Sequence, residues 1–324
     1  MRVEAKNKEK GFTLIELMIA MALSLIVMAA IFSTFKSQQD SYVVQSQVSM
    51  AQQNLRAALY MITRDVQMAG YYTNFVRDTY SADWDDDSSD ETLRPMIYAL
   101  NDVSITGVKE NSDILVVIKA SDEGRALTAG EVATSGDSAN ASLTMTSLDL
   151  DGDGADDLTY SVSGTNKFGL LVKNDLSRAE LFEIEANTND FIFGSGLREN
   201  YGQGDLVYTA DVIIYRVDTS DPDHPSLVRK NLGKDSGYQV IAENVDNLQL
   251  SFMLSDGSET NIINTNDISE VRAVKVYILA RSANVIRGYS DPNTYTMGSY
   301  TESADDGYMR RLLSSNIKTR NIGL

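Results

Sequence analysis

An α+β fold is the class this sequence predicts: a long N-terminal helix, membrane-spanning in its first half, packed on an antiparallel β-sheet head. Three observations predict it. From Phe12 to Val66 there is no Pro and no Gly, so a continuous helix there would be about 80 Å long at ~1.5 Å per residue. Within it, residues 12–35 hold a single ionisable side chain, Glu16. At that rise the segment spans roughly 36 Å, enough to cross a hydrocarbon core of about 30 Å. Beyond Gly70 the apolar period changes from helical to two, and a helix followed by a run of strands reads as α+β.

Taken in order, residues 1–11 form a short basic leader with Arg2, Lys6, Lys8 and Lys10 against Glu4 and Glu9. Lys and Arg ahead of an apolar run favour a cytoplasmic N-terminus. Residues 12–35 follow as the membrane half of the helix. Residues 36–69 continue it as an amphipathic half, with Val44, Val48, Ala51, Leu55, Leu59, Ile62 and Val66 spaced as one stripe. Gly70 is the expected stop. Residues 70–324 are the β-rich head. Leu248, Leu250, Phe252 and Leu254 alternate, as do Val274, Val276, Ile278 and Ala280. Further strands are expected at Ile114–Lys119, Leu158–Ser163, Phe168–Lys173, Val207–Val217 and Leu227–Asn231, separated by polar linkers.

Composition narrows the chemistry. There is no Cys, which removes disulfides and thiolate zinc sites. The one His, His224, rules out multi-histidine metal chemistry. Formal net charge is −18; the leader contributes +2, leaving −20 for the remainder. So acidic a body repels a phosphate backbone, and no nucleic-acid partner is expected.

The N-terminal run admits three readings. A secretory signal peptide would use Ala20-Met21-Ala22 as its cleavage site, but the apolar run continues past it. A plain transmembrane anchor leaves Glu16 unexplained, since a carboxylate near the middle of a membrane helix costs about 2.5–3.5 kcal/mol. The third rests on Gly11-Phe12-Thr13-Leu14-Ile15-Glu16, which resembles the signature of type IV pilins and type II secretion pseudopilins. In that family a Gly precedes the cut, an apolar residue with a methylatable amine follows it, and Glu is fifth in the mature chain. The resemblance implies that prepilin peptidase cuts between Gly11 and Phe12 and methylates the new amine. It implies too that Glu16 pairs with a Phe12 ammonium during assembly, its own or a neighbour's. Opposite charges a few ångströms apart attract far more strongly in a poor dielectric than in water. Major pilins often carry a Pro partway along the membrane half; Ser33 stands near that place here.

The distal region resembles PilW-like minor pilins and, more loosely, J-type pseudopilins. The likeness rests on Arg64 to Tyr71 at the helix end, Ile241-Ala242-Glu243-Asn244-Val245, Val271–Arg281, and the tail from Arg310-Arg311 to Arg320-Asn321. Taken blandly, Arg64 and Asp65 are a surface pair and the basic tail is a solvated edge strand.

A second motif lies at Asp149-Leu150-Asp151-Gly152-Asp153-Gly154-Ala155-Asp156-Asp157. Asp149, Asp151 and Asp153 take positions 1, 3 and 5 of an EF-hand-like count, Gly154 permits the turn at 6, Ala155 offers its carbonyl at 7, and Asp157 falls at 9. Crowded hard oxygens of this kind expect Ca²⁺. Tyr160 stands where a bidentate Glu would complete an EF-hand, so the loop resembles the shorter calcium loops of integrin-type repeats and dockerins. An acidic turn between strands is the alternative. The run from Asp83 to Glu91 lacks this spacing and reads as a solvated loop, with Trp84 anchoring it.

A minor subunit of a type IV pilus, priming or capping the filament, fits these features best. Its implied partners are prepilin peptidase, other minor and major pilins, and the inner-membrane assembly platform. A J-type secretion pseudopilin is the alternative. Catalysis has no constellation to rest on: His224 sits in the turn-like Asp221-Pro222-Asp223-His224-Pro225, and Gly194-Ser195-Gly196 lacks the third Gly of a nucleotide loop.

Overall fold

The computed structural model describes residues 11–71, 80–82, 91–93, 96–103, 106–120, 125–127, 167–184, 201–232, 234–263 and 268–322. One helix, α1 (Leu14–Met68), opens the chain. The strands described after it are β1 (Tyr80–Ala82), β2 (Glu91–Leu93), β3 (Ile97–Val103), β4 (Ser112–Ala120), β5 (Arg125–Ala126), β6 (Lys167–Val172), β7 (Ala179–Ile184) and β8 (Leu206–Asp218). They continue as β9 (Ser226–Leu232), β10 (Gln239–Glu243), β11 (Val245–Leu254), β12 (Glu259–Thr260), β13 (Val271–Arg281), β14 (Thr294–Met297), β15 (Tyr300–Ser303) and β16 (Arg310–Lys318). A long apolar helix followed by antiparallel sheet is the α+β class the sequence predicts. The expected strand Leu158–Ser163 lies outside the described residues.

The chain divides into two compact units, Met1–Ser49 and Met50–Leu324. The first consists, among the described residues, of the N-terminal part of α1. It includes an 18-residue window long and apolar enough to cross a membrane, none of which is buried. Two hydroxyls of the apolar run are bonded back along the helix. Ser24 Oγ donates to the Ala20 carbonyl at 2.7 Å and Thr34 Oγ1 to the Ala30 carbonyl at 3.0 Å. Such bonds remove the cost of carrying a polar group in hydrocarbon. No Pro interrupts the run, and the helix passes unbroken through Ser33.

In the second unit the rest of α1 packs on two antiparallel sheets. One has the path β10-β9-β8-β4-β3, with β5 and β6 also on β8 and β7 on β6. The other has the order β12-β11-β13-β16. Strand β8 organises the first, bonding β4, β5, β6 and β9 along its length. Its near-continuous apolar sequence follows from burial on both faces. Ile213, Tyr215 and Val217 join the core beneath the helix, while Tyr208, Ala210, Val212 and Ile214 enter a second core on the opposite face. Strand β4 divides in the same way, Leu115 and Val117 to one side, Ile114, Val116 and Ile118 to the other. The alternation expected in β11 and β13 places Leu248, Leu250, Phe252, Val274, Val276 and Ile278 in the helix-side core.

The helical stripe is close to the expected one. Leu55, Ile62 and Val66 are buried and Leu59 packs against them, joined by Ala58 and Ala69. Val44, Val48 and Ala51 are half-buried. Gly70 ends the helix as expected, with φ +77° and its N–H bonded to the Ile118 carbonyl at 3.1 Å. A side chain there is excluded on two grounds: L residues avoid that φ, and a Cβ would lie 2.9 Å from Ile322 Cγ1. The tail closes the same end. Asn321 Nδ2 reaches the Ala69 carbonyl at 3.4 Å, supplying a donor to a helix terminus that has orphan acceptors.

Candidate functional site

The start of α1 is a closed hydrogen-bonded unit. Thr13 precedes the first helical residue and acts as N-cap. Its backbone N–H and its hydroxyl both donate to Glu16 Oε2 at 2.9 Å. In return the Glu16 N–H donates to Thr13 Oγ1 at 3.3 Å. This is a capping box, in which a hydroxyl and a carboxylate three residues apart satisfy orphan donors of the first turn. Thr13 is the residue sequence reasoning passed over. Its signal, Thr-x-x-Glu, was present, but those letters also sit inside the processing motif and were read for that alone.

Glu16 is therefore not a bare charge in an apolar run. It is engaged with its own helix start through Oε2. Gly11 and Phe12 lie immediately before. Phe12 is 90 % exposed, and a Cβ built on Gly11 would meet nothing within 4 Å. Any demand for glycine at 11 thus comes from outside this chain.

At the other end of α1 the helix is held by a buried ion cluster. Asp65, 6 % exposed, accepts from the Tyr215 hydroxyl at 2.6 Å, Lys119 Nζ at 3.0 Å and Arg229 Nε at 3.2 Å. Three strands, β8, β4 and β9, each supply one donor. Burial alone would raise the Asp65 pKa, but the Tyr215 hydrogen bond and the Lys119 and Arg229 charges outweigh it and hold the carboxyl below its ordinary range. Burial and the facing Asp65 carboxylate push the Tyr215 phenol up. The surface pair expected of Arg64 and Asp65 is corrected here: Arg64 is exposed, whereas Asp65 faces the sheet. Position 65 follows Ile62 by three residues, which turns it onto the buried stripe.

A second cluster corrects the expected solvated edge strand at Arg310, whereas β16 is an edge strand and Arg311, Lys318 and Arg320 are exposed as expected. Arg310 is 5 % exposed. Its Nε donates to Asp246 at 2.6 Å, and Nη1 and Nη2 clasp Asp306 at 2.6 and 2.7 Å. Asp291 lies 3.5 Å from Nη1, and Arg281 Nη1 lies 3.2 Å from Asp246. The cluster locks β16 and the preceding loop to β11 and β13. Arg311, one residue on, is exposed.

Other candidates are not brought together. Asp149, Asp151, Asp153, Ala155 and Asp157 lie outside the described residues, as do Trp84 and Gly194-Ser195-Gly196. Among the described residues no three His, Asp or Glu side chains are grouped to hold a metal. His224 is exposed, its Nδ1 3.1 Å from Asn244 Oδ1, with no nucleophile and acid arranged about it.

Two family models match the chain. Residues 6–32 match the prokaryotic N-terminal methylation motif. Residues 214–321 match the type IV pilus-assembly protein W model, a stretch that includes Tyr215, Arg229, Asp246, Arg281 and Arg310. No curated protein and no solved structure matches. The processing motif at one end and the pilus-assembly likeness at the other make the chain type IV minor pilin-like.

Proposed function

We propose that this type IV minor pilin-like chain is a low-copy subunit that primes or caps a type IV pilus. Before assembly it resides in the inner membrane, its N-terminus in the cytoplasm and its head outside. Prepilin peptidase cuts between Gly11 and Phe12 and methylates the new amine. The assembly platform then moves the subunit against other minor and major pilins, where Glu16 meets a Phe12 ammonium.

The observation that carries this is the apolar N-terminal run of α1, residues 12–35, exposed along its length, whose first turn holds the only carboxylate of the run. Such a surface needs lipid or sister helices, and a pilus offers both in succession. The match over residues 214–321 favours the pilus over a secretion machine. A large head suits low copy, because a bulky domain repeated at every position crowds a thin filament.

Mass spectrometry of the N-terminal peptide from isolated membranes and filaments tests the proposal. A methylated Phe12 start is expected. A mature start after Ala22, or intact Met1 in filaments, overturns it. Gly11→Val blocks the cut while leaving the helix unchanged by circular dichroism, since the chain itself has room for the side chain.

A further inference from the structure

The sheet edges of the head differ in how they are finished. Strand β12 has two residues and β7 six, and β10 and β3 break register against their neighbours. Short or bulged edges resist pairing with other chains. Strand β16 is different: nine residues paired to β13 in unbroken register, with no Pro or Gly.

Its free side can be assigned from the ladder. The Ser282 N–H donates to the Met309 carbonyl, and the Thr319 N–H to the Arg272 carbonyl. In an antiparallel pair such bonded positions alternate with positions whose N–H and C=O point away. Leu312, Ser314, Asn316 and Lys318 are therefore the outward ones. Ser314, Asn316 and Lys318 are exposed and Leu312 is half-buried. No hydrogen bond to their backbone groups is found among the described residues.

The charge on this edge is the reverse of the chain's. After Asp306 the sequence holds Arg310, Arg311, Lys318 and Arg320 and no acid. Arg310 is spent on Asp246, Asp291 and Asp306. Arg311, Lys318 and Arg320 are exposed and have no ion-pair partner among the described residues. A nine-residue edge with basic ends, on a protein of net charge −18, complements an acidic strand. A second copy of β16 is a poor occupant. Antiparallel self-pairing sets the Arg311 end of one copy against the Lys318–Arg320 end of the other, like charge near like charge.

We propose that the free edge of β16 takes up an extended, Asp- or Glu-bearing strand of a different, neighbouring pilus subunit, adding a fifth strand beside β16. The backbone of Leu312, Ser314, Asn316 and Lys318 supplies the hydrogen bonds, and Arg311 and Lys318 select the charge. That the strand comes from a pilus subunit rests on the function proposed above; the edge itself does not.

The test uses the full chain in detergent and a fluorescent nonapeptide of Val and Thr carrying Glu on both faces, since Arg311 and Lys318 project to opposite faces of the strand, beside its Lys-for-Glu counterpart. Anisotropy reads binding, and amide hydrogen exchange reads where it occurs. The acidic peptide is expected to bind, to protect the four outward amides, and to be preferred over the basic one. Arg311→Glu with Lys318→Glu, both exposed, is expected to weaken it by ~tenfold and to reverse that preference. Ser314→Pro removes an outward donor without touching the ladder to β13 and is expected to abolish capture; if that variant fails to fold, the charge reversal and the exchange map still decide. Binding without protection of these amides, equal binding of both peptides, or protection of the same amides by self-association alone would each overturn the proposal. Peptide capture by a chain that never enters filaments refutes the assembly role and leaves the edge standing. Filament entry without capture refutes the edge.

Discussion

Asp65 Oδ2 lies 2.6 Å from the Tyr215 hydroxyl, joining the last turns of α1 to the middle of β8 across 150 residues of sequence. Lys119 and Arg229 complete the clasp. One carboxylate thus faces two cations and a phenol. Removing it takes away the Lys119 ion pair and leaves Arg229 with the longer contact to Asp235, 3.9 Å away.

Asp65→Ala is expected to destabilise the head by about 3 kcal/mol, the usual consequence of leaving a buried charge uncompensated. Asp65→Asn keeps shape and loses the charge, so its effect should be smaller. Tyr215→Phe removes one hydrogen bond, costing roughly 1 kcal/mol. Thermal unfolding of the full chain in detergent, followed by tyrosine fluorescence, measures all three. Equal stability of Asp65→Ala and the native chain would sink the clasp as an energetic feature.

The same carboxylate gives the head an acid limit. The Asp65 pKa is lowered on folding, so its contribution is fully present above the unfolded value, about 3.9, and is lost as pH falls through the folded one. Stability plotted against pH should bend downward below about pH 4. In Asp65→Asn the bend should shrink, with a residual slope from the other carboxylates whose pKa values are lowered, Asp205, Asp291 and Asp306 among them.

Adjacent arginines on β16 should behave oppositely. Arg310→Met removes the cation beside Asp291 and leaves Asp246 with Arg281 alone; both carboxylates are almost wholly buried, and the loss should cost about 3 kcal/mol. Arg311→Met faces solvent and should change stability by no more than about 0.5 kcal/mol. Comparable losses from the two would show that the cluster around Arg310 carries little.

These contrasts mark where sequence pattern stops being informative. The helix, its stop at Gly70 and the alternating strands were legible because period and turn chemistry are local. The apolar runs of β4 and β8 were legible as strands too, although the reason for their continuity, two cores on two faces, was not. Asp65 and Arg310 were misjudged as surface charges. Their partners lie on other strands, and a lone Asp or Arg looks the same whether a distant strand answers it or water does. Thr13 is the opposite case: its partner is three residues away, and a second meaning of the same letters hid it.

Glu16 has two candidate roles, and one substitution separates them. As part of the capping box it closes the first turn of α1; as a charge it would hold a Phe12 ammonium during assembly. Glu16→Ala removes both, and should leave membrane insertion intact or improved while incorporation into filaments falls. Glu16→Gln preserves a capping box and removes the charge. Filament incorporation of Glu16→Gln should fall as far as that of Glu16→Ala. Normal incorporation of Glu16→Gln would reassign Glu16 to helix capping, and Thr13→Val should then share the Ala phenotype.

The acidic segment read as a candidate calcium site supplies the last prediction. Asp149, Asp151, Asp153, Ala155 and Asp157 stand at positions 1, 3, 5, 7 and 9 of an EF-hand-like count with Gly154 at 6. Binding to the folded state alone adds about 2.7 kcal/mol when calcium is a hundredfold above Kd. Even a weak site of the extracellular kind, roughly 10⁻⁴–10⁻³ M, would be partly filled near millimolar calcium. Thermal unfolding of the full chain should therefore rise when EGTA is replaced by calcium, and much less with magnesium, which demands a tighter octahedron. Asp151→Ala with Asp153→Ala should abolish the rise. Without metal the double variant should be at least as stable as the native chain, because two mutually repelling carboxylates are gone. That second arm distinguishes loss of ligands from general damage, which would lower stability with and without metal alike. If the native chain shows no calcium-specific rise, the segment is an acidic turn and the mutual repulsion of its carboxylates is borne by solvent.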